Sequence, residues 1–405
     1  MSTSLMYHTQ GIRGFQHQSF EFLDKQIIQR IKSNSFHCEK CLSGRVTVSR
    51  HRTRRIQGLP YGSGRVYFEL DVHWVYCLEC RHRRLESLPF LSHPKSRITK
   101  QLERSVIELR TEMSISAVAQ YFSLDWRTVK NCEKRHLQKK FKRINLKNVK
   151  VIGIDEIFVT RRQNQEKYIT VVRDLESGAV LHVGKGKGGE ALDEFGVKLK
   201  RRGIKIEVIA MDMSEAFYAW VQKKIPDAEV VFDHFHVIKL MNDKLDKVRR
   251  RTATSIDEDQ RQLLKNQRFL FLRNIENLEP DAKQLLDNLR KIFHELGETS
   301  MMKEALRSIY DIAQNDSIAE AAFKNWCDIA NQTEVDELKQ MAKTIQNNLN
   351  GITAYWRTNR LSNAAMEGFN NKIRWLMRQA YGYRDEEYFH LKIYDLPEIK
   401  TQKEI

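Results

Sequence analysis

The spacing of apolar residues divides this chain into stretches of different period. Phe20, Phe22, Leu23, Ile27, Ile28 and Ile31 recur at helical spacing and predict a lead-in helix within residues 1–35. Residues 36–90 change to short alternating pieces, Val66-Tyr67-Phe68-Glu69-Leu70 and Trp74-Val75-Tyr76, separated by turn-rich sequence, which predicts strands. A helical period returns over residues 98–144. From 149 to 240 the two patterns alternate: strands at 151–154, 167–173, 179–184, 206–211 and 229–232, with helices at 190–201 and 215–224. The turn Glu176-Ser177-Gly178 makes the second and third of these strands a hairpin. Residues 240–355 read as almost continuous helix, and a last helical segment ends near Tyr381-Gly382-Tyr383. There are no internal repeats and no low-complexity tracts.

Two of the strands are followed by aspartates, Asp155 after Val151-Ile152-Gly153-Ile154 and Asp212 after residues 206–211. Three antiparallel strands followed by two strand units with helical crossovers is a ribonuclease-H-like layout. Its first and fourth strands are neighbours, which predicts that Asp155 and Asp212 meet. Glu367 lies far downstream in the polar helical segment Asn363-Ala364-Ala365-Met366-Glu367-Gly368-Phe369-Asn370-Asn371-Lys372. Such a trio suits magnesium, which takes oxygen ligands, and paired ions serve phosphoryl transfer. Clustered carboxylates are costly without a cation. Each acidic residue alone is equally explained as a helix cap or a solvated loop residue. Glu156 rivals Asp155, but strand alternation sends the two side chains to opposite faces, and Asp155 is preferred.

Several neighbours of this trio are candidates for auxiliary roles. Asn370 and Asn371 share a helical face with Glu367, Lys372 and Arg374 follow within two turns, and Asn363 precedes by one turn. Trp356, Arg357, Arg360 and Trp375 are of the type that holds unpaired DNA, although both tryptophans suit packing equally well. Asp233 and His236 form a DxxH unit placed to reach the rim of the site; a capping aspartate with histidines in a first helical turn is the plainer reading. Gly184-Lys185-Gly186-Lys187-Gly188-Gly189 lacks the spacing and the Ser or Thr of a nucleotide-binding loop and reads as a flexible basic turn.

With 405 residues, 41% hydrophobic and 30% charged, the chain has the length of two or three domains and an ordinary soluble composition. No apolar run approaches the roughly 20 residues of a membrane span, and the first thirty residues lack a secretory leader. A cytoplasmic, nucleoid-associated protein is expected. Residues 1–150 hold 29 Lys+Arg against 12 Asp+Glu, so the surplus there equals the net charge of +17 and the remainder is balanced. A basic surface of this kind attracts a polyanion through counterion release. Double-stranded DNA is the expected partner, with a partnerless basic domain as the plainer alternative. A membrane is not expected, because the charge accompanies paired cysteines rather than a strong amphipathic helix.

Cys38-Glu-Lys-Cys41 and Cys77-Leu-Glu-Cys80 are two CxxC units separated by strand-like sequence, the spacing of a zinc ribbon with one closed structural Zn²⁺ site. His37 or His82 could replace one cysteine. Disulfides fit a cytosolic chain poorly, and neither pair has the βαβ setting of a redox motif. Cys132 and Cys327 read as core residues. Arg83 and Arg84 flank the second knuckle as candidate DNA contacts. Downstream, Ser114 caps one short helix, Ser123-Leu124 turns, and Asp125 caps a second, a candidate helix-turn-helix. Arg127, Lys130, Lys134 and Arg135 decorate the second helix, the one that enters the major groove in this motif.

Taken together, Gly153-Ile154-Asp155-Glu156, Ala210-Met211-Asp212-Met213, Phe232-Asp233-His234-Phe235-His236 and the segment around Glu367 resemble the bacterial insertion-sequence DDE transposases of the ISL3 family. The resemblance spans nearly the whole chain. It covers a zinc-binding segment over residues 38–80, a helix-turn-helix over 98–137 and a DDE domain over 150 to about 385, and does not interpret the chain before Cys38. The expected domains are a zinc-binding module over 1–95, a helix-turn-helix domain over 96–145, and an α/β, ribonuclease-H-like core over 146–240 completed by 356–405. Residues 241–355 are then a helical insertion. It further implies Asp155, Asp212 and Glu367 as catalytic residues and ligands of Mg²⁺ or Mn²⁺, cleavage at terminal inverted repeats and transfer of the freed 3′-hydroxyl to target DNA. A homodimer or higher oligomer is expected in the DNA complex, since two ends are cut and joined together. The rival readings are a sequence-specific regulator with an inactive core and a nuclease of the same fold that never joins ends.

Overall fold

Phe15–Leu23 (β1) and Gln26–Ser33 (β2) form an antiparallel hairpin, preceded by a short helix, Leu5–Gln10 (α1), where the apolar spacing predicts one lead-in helix. Ile27, Ile28 and Ile31 are β-branched, which favours strand over helix, and Asp24 breaks the run with a φ of 38° at the turn. The computed structural model describes residues 5–162 and 165–396, which fall into two compact units divided after Lys142.

The N-terminal unit continues the hairpin into a sheet of order β1-β2-β4-β3, where β3 is Val46–Gln57 and β4 is Arg65–Cys77; β5 (Arg83–Leu85) also pairs with β4. Ile31, Ile56, Val66, Phe68, Leu70 and Val72 fill its core. Three helices follow: α2 (Lys100–Leu109), α3 (Ile115–Phe122) and α4 (Trp126–Lys140). The Ser114 side chain accepts from the Ala117 N–H, the Asp125 side chain accepts from the Arg127 N–H, and Ser123 turns the chain at φ 51°. Val118, Ala119, Phe122 and Val129 are buried together between the helices. The strands and helices are tied at Gln57, whose Nε2 donates to the Phe122 carbonyl at 2.7 Å and whose own carbonyl accepts from the Thr99 N–H.

The second unit is built on a mixed five-stranded sheet. Its strands are β6 (Val151–Arg162), β7 (Gln165–Asp174), β8 (Val180–Lys185), β9 (Val208–Met211) and β10 (Glu229–Phe232), in spatial order β10-β9-β6-β7-β8. The first three strands are antiparallel, while β6, β9 and β10 run parallel. The first and fourth strands are therefore neighbours. β6 is longer than its apolar run predicts, because pairing with β7 continues to Arg162↔Gln165, so Asp155 lies inside the strand rather than at its end. What ends beside Asp155 is the pairing with β9, whose last register pair is Ile154↔Met211.

Helices cover both faces of this sheet. One face packs against α5 (Asp193–Arg202), α6 (Glu215–Lys224) and a helical bundle. The bundle runs through α7 (His234–Ser255), α8 (Glu258–Leu264), α9 (Arg268–Leu272), α10 (Pro280–Ile292), α11 (His294–Ile312), α12 (Asp316–Gln332), α13 (Asp336–Asn347) and α14 (Leu349–Arg357). Trp356 belongs to its core: its Nε1 donates to the Ala313 carbonyl at 2.8 Å and its ring stacks on Tyr310. The other face packs against α15 (Ala364–Gln379) and α16 (Glu386–Asp395).

Gly153 lets α15 close on β6. A Cβ there would stand 2.8 Å from Met366 Cγ and from Leu175 Cδ2, and 2.9 Å from Asn363 Oδ1. Gly153→Ala is expected to cost about 1–3 kcal/mol through this overpacking, read as a lower urea midpoint with an unchanged slope. An unchanged midpoint would show that α15 does not rest on this glycine.

Candidate active site and nucleic-acid-binding elements

The register of the parallel strands sets out a row of aspartates. Ile152, Ile154, Met211 and Phe232 face the bundle side of the sheet. Strand alternation therefore puts Asp155, Asp212 and Asp233, each the next residue along its chain, on the opposite face at adjacent positions. Ile157, two residues past Asp155 on that same face, packs with Met366 and Phe369 of α15. Glu156 falls on the other side, where burial raises its carboxyl and the Lys187 charge draws it back. Alternation thus separates Asp155 from its rival.

Each aspartate of the row has a distinct partner. Asn370 Nδ2 donates to Asp155 Oδ2, and the Glu156 N–H donates to Asp155 Oδ1 at 2.7 Å. Burial first, then the charge of Asp212, pushes the Asp155 carboxyl up to about 7. Two repelling carboxylates with hard oxygen donors suit a divalent cation such as Mg²⁺. His236 Nδ1 lies 3.0 Å from Asp212 Oδ1, and that hydrogen bond is the main cause raising the pKa of the imidazole. Asp233 is buried, which pushes its carboxyl up to about 6, and it accepts from the Asn363 N–H at 3.4 Å. Of the two readings of the DxxH unit, Asp233 occupies the N-cap position of α7 without a side-chain capping hydrogen bond, its carboxylate accepting from Asn363 instead, while His236 lies against Asp212.

Glu367 is positioned by the same asparagines. Asn363 Nδ2 donates to the Ile154 carbonyl at 3.3 Å, so Asn363 and Asn370 hold one flank of α15 against β6. Glu367 lies on that flank, four residues after Asn363 and three before Asn370, where helical neighbours fall. Its side chain is exposed and makes no hydrogen bond or ion pair to the aspartates among the described residues. Among those residues, the four cysteines are the one group of three or more His, Cys, Asp or Glu whose ligand atoms gather within 4.8 Å. Asp155 and Asp212 are thus brought together, Asp233 joins their row, and Glu367 stands at the edge. Asp233 was recognisable only as part of a DxxH motif; its place in the row depends on β10 pairing with β9.

In the cysteine cluster, Cys38 and Cys80 sulfurs are 3.4 Å apart and those of Cys41 and Cys77 3.5 Å apart. Neither His37 nor His82 belongs to it. The residue after each knuckle has a left-handed backbone, Leu42 at φ 62° and Arg81 at φ 57°, a conformation costly for side chains other than glycine. The Cys41 backbone N–H is the main cause holding the Cys38 thiol down to about 6. Cys132 and Cys327 are buried, and burial pushes both thiols up to about 11.

The candidate DNA contacts divide into outward and inward groups. Arg127 lies over the half-exposed Trp126 ring at the start of α4, the helix that also carries Lys130 and Lys134. Arg135 instead donates to Glu103 at 2.8 Å and clamps α4 to α2. Arg83 stacks on Trp74, whereas Arg84 pairs with Glu39. Lys372 is exposed, Arg374 donates to Asn371 Oδ1 at 2.8 Å, and Trp375 is 59% exposed. Arg357 is paired with Glu229 and Arg360 donates to the Ala313 carbonyl, so both serve packing. Arg50, Arg52, Arg54 and Arg55 on β3 belong to none of the sequence motifs, although their near-alternation is visible in the chain.

Known proteins carry the same organisation. A family model described as a transposase, of the ISL3 type with a DDE domain, matches residues 152–393, and one described as the helix-turn-helix domain of transposase family ISL3 matches residues 86–137. The transposase for insertion sequence element IS1001 of Bordetella parapertussis is 31% identical over 360 residues, covering 88% of this chain and 87% of the relative. The transposase for IS1557 of Mycobacterium tuberculosis is 25% identical over 359 residues, covering 82% and 79%. No described helix is long and apolar enough to cross a membrane. The chain belongs to the ISL3 family of DDE transposases.

Proposed function

We propose that Asp155, Asp212 and Glu367 are the catalytic carboxylates of a ribonuclease-H-like core that cuts the ends of an insertion sequence and joins them to target DNA. The observation that carries this reading is the side-by-side placement of Asp155 and Asp212 on the sheet face that α15 covers. Bound Mg²⁺ or Mn²⁺ supplies Lewis-acid activation of the attacking oxygen and charge neutralisation at the leaving oxygen. The residues that would hold it are Asp155, Asp212 and Glu367. Asn370 orients Asp155, His236 orients Asp212, and Asp233 with Asn363 fixes the start of the helix that carries Glu367.

Cys38, Cys41, Cys77 and Cys80 would hold Zn²⁺ as a structural element of the N-terminal unit, since four sulfur donors leave no position for a reacting ligand. That unit binds the terminal repeats as double-stranded DNA, with the first turns of α4 in the major groove. A dimer or higher oligomer brings two ends together. Incubating the purified chain with Mg²⁺ and a duplex carrying one end of its element is expected to yield both cut and joined products. Cutting without joining favours a nuclease, and binding without cutting favours a regulator.

A further inference from the structure

We propose that the far end of the β3–β4 ribbon is a second DNA-binding surface, contacting the duplex within about one helical turn of the site held by the helix-turn-helix. This rests on the reading of the N-terminal unit as a DNA-binding unit and adds a surface to it. The ribbon's two faces differ in charge. On one, the arginines already have acidic partners, Arg50 with Asp71 at 3.1 Å and Arg55 with Glu69 at 3.5 Å, and His73 Nδ1 lies 3.1 Å from Glu86. On the other, the register sets Thr47 opposite Tyr76 and Tyr76 opposite Arg83, with Ser49 opposite Trp74 and Arg52 opposite Val72. Arg83 lies 5.1 Å over the Trp74 ring, His51 meets that ring edge-on at 5.4 Å, and Tyr76 is 37% exposed. Neither Arg52 nor Arg83 has a carboxylate partner among the described residues.

This face therefore combines unpaired guanidinium groups, hydroxyls and aromatic rings, the donors and stacking surfaces that suit phosphate and sugar. Arginines on an edge strand also guard against strand-to-strand aggregation, but that role needs neither the aromatic stack nor the one-sided absence of acids. The ribbon's other end is fixed to the helices through Gln57. Eight residues of strand separate Gln57 from Ser49, roughly 26 Å at strand rise, against about 34–36 Å for one turn of duplex. A span of this length keeps the ribbon face within about one duplex turn of the helices it is anchored to, and the phosphates there carry the complementary charge.

The test uses the full-length zinc-loaded protein and a labelled duplex of about 40 base pairs from one end of the element, several helical turns long. Arg52→Gln/Arg83→Gln is expected to weaken binding about 5–20-fold at low salt and to lower the slope of log affinity against log salt by about 2. Arg50→Gln, on the acid-paired face, is expected to stay within about twofold. A photo-crosslinking residue at Tyr76 should label DNA within about one turn of the label made from position 130. Wild-type affinity and slope in the double variant, with Arg127→Gln/Lys130→Gln still impaired, would overturn the ribbon surface and leave the helix-turn-helix reading standing. If the wild-type protein binds no duplex, both readings fall together.

Discussion

Asp155→Asn is expected to lower Mg²⁺-dependent cleavage and joining at least about 10³-fold, because it removes an anionic oxygen from the place where a cation must be held. The substitution keeps the shape of the side chain and leaves Asn370 a possible amide partner. Loss of fold is not expected, and the direction of the pKa explains why. Burial and the Asp212 charge push the Asp155 carboxyl up to about 7 in the folded protein, above its unfolded value near 4. The folded state then binds the proton more tightly, so the metal-free protein loses stability as pH rises from about 4 through 7. A neutral amide removes that loss, and Asp155→Asn should melt no lower than wild type in EDTA at pH 8. His236→Ala, which only releases Asp212 from its hydrogen bond, is expected to cost about 10–100-fold. Single-turnover cleavage with melting curves on the same preparations checks all three, and wild-type rates in Asp155→Asn would sink the catalytic assignment.

The features legible in the chain are those with local causes. Ser114, Ser123 and Asp125 act within a few residues of themselves, and the two caps and the turn stand where their chemistry puts them. Asp155 and Asp212 could be paired because strand order follows from the alternation of periods, and a parallel neighbour carries register with it. Features that depend on distant partners were hidden. The Ile27, Ile28 and Ile31 spacing fits helix and strand equally until β4 pairs alongside β2. The length of β6 is set by β7, not by its own apolar run. Arg135 resembles its basic neighbours on α4 until Glu103 is seen to claim it. Glu367 is singled out in the chain only by its polar helical segment, and its exposed place on the flank of α15 depends on how that helix docks against Gly153.

The second large effect is expected at the cysteines, where metal and fold are coupled rather than metal and reaction. Cys77 is fully buried, is the last residue of β4 and pairs with Val46 at the start of β3, so its sulfur joins the knuckles to the ribbon. Cys77→Ser should release the roughly one zinc per chain that the four-sulfur cluster implies. Zinc binding in small modules supplies about 10–16 kcal/mol, comparable with the whole stability of a domain at about 5–15 kcal/mol. The left-handed residues Leu42 and Arg81 would then have no bound metal to offset their strain. Duplex affinity is expected to fall more than about 100-fold as the ribbon and the strand attached to Gln57 lose order. Far-UV helical signal should largely persist, since α5 to α16 belong to the other compact unit. Cys132→Ser is the matched control: it is buried among α2, α3 and α4 and lies outside the cluster. It should therefore leave zinc content unchanged. Metal analysis beside binding curves decides the matter, because a Cys77→Ser protein that keeps its zinc and its affinity would remove the cluster from any structural role.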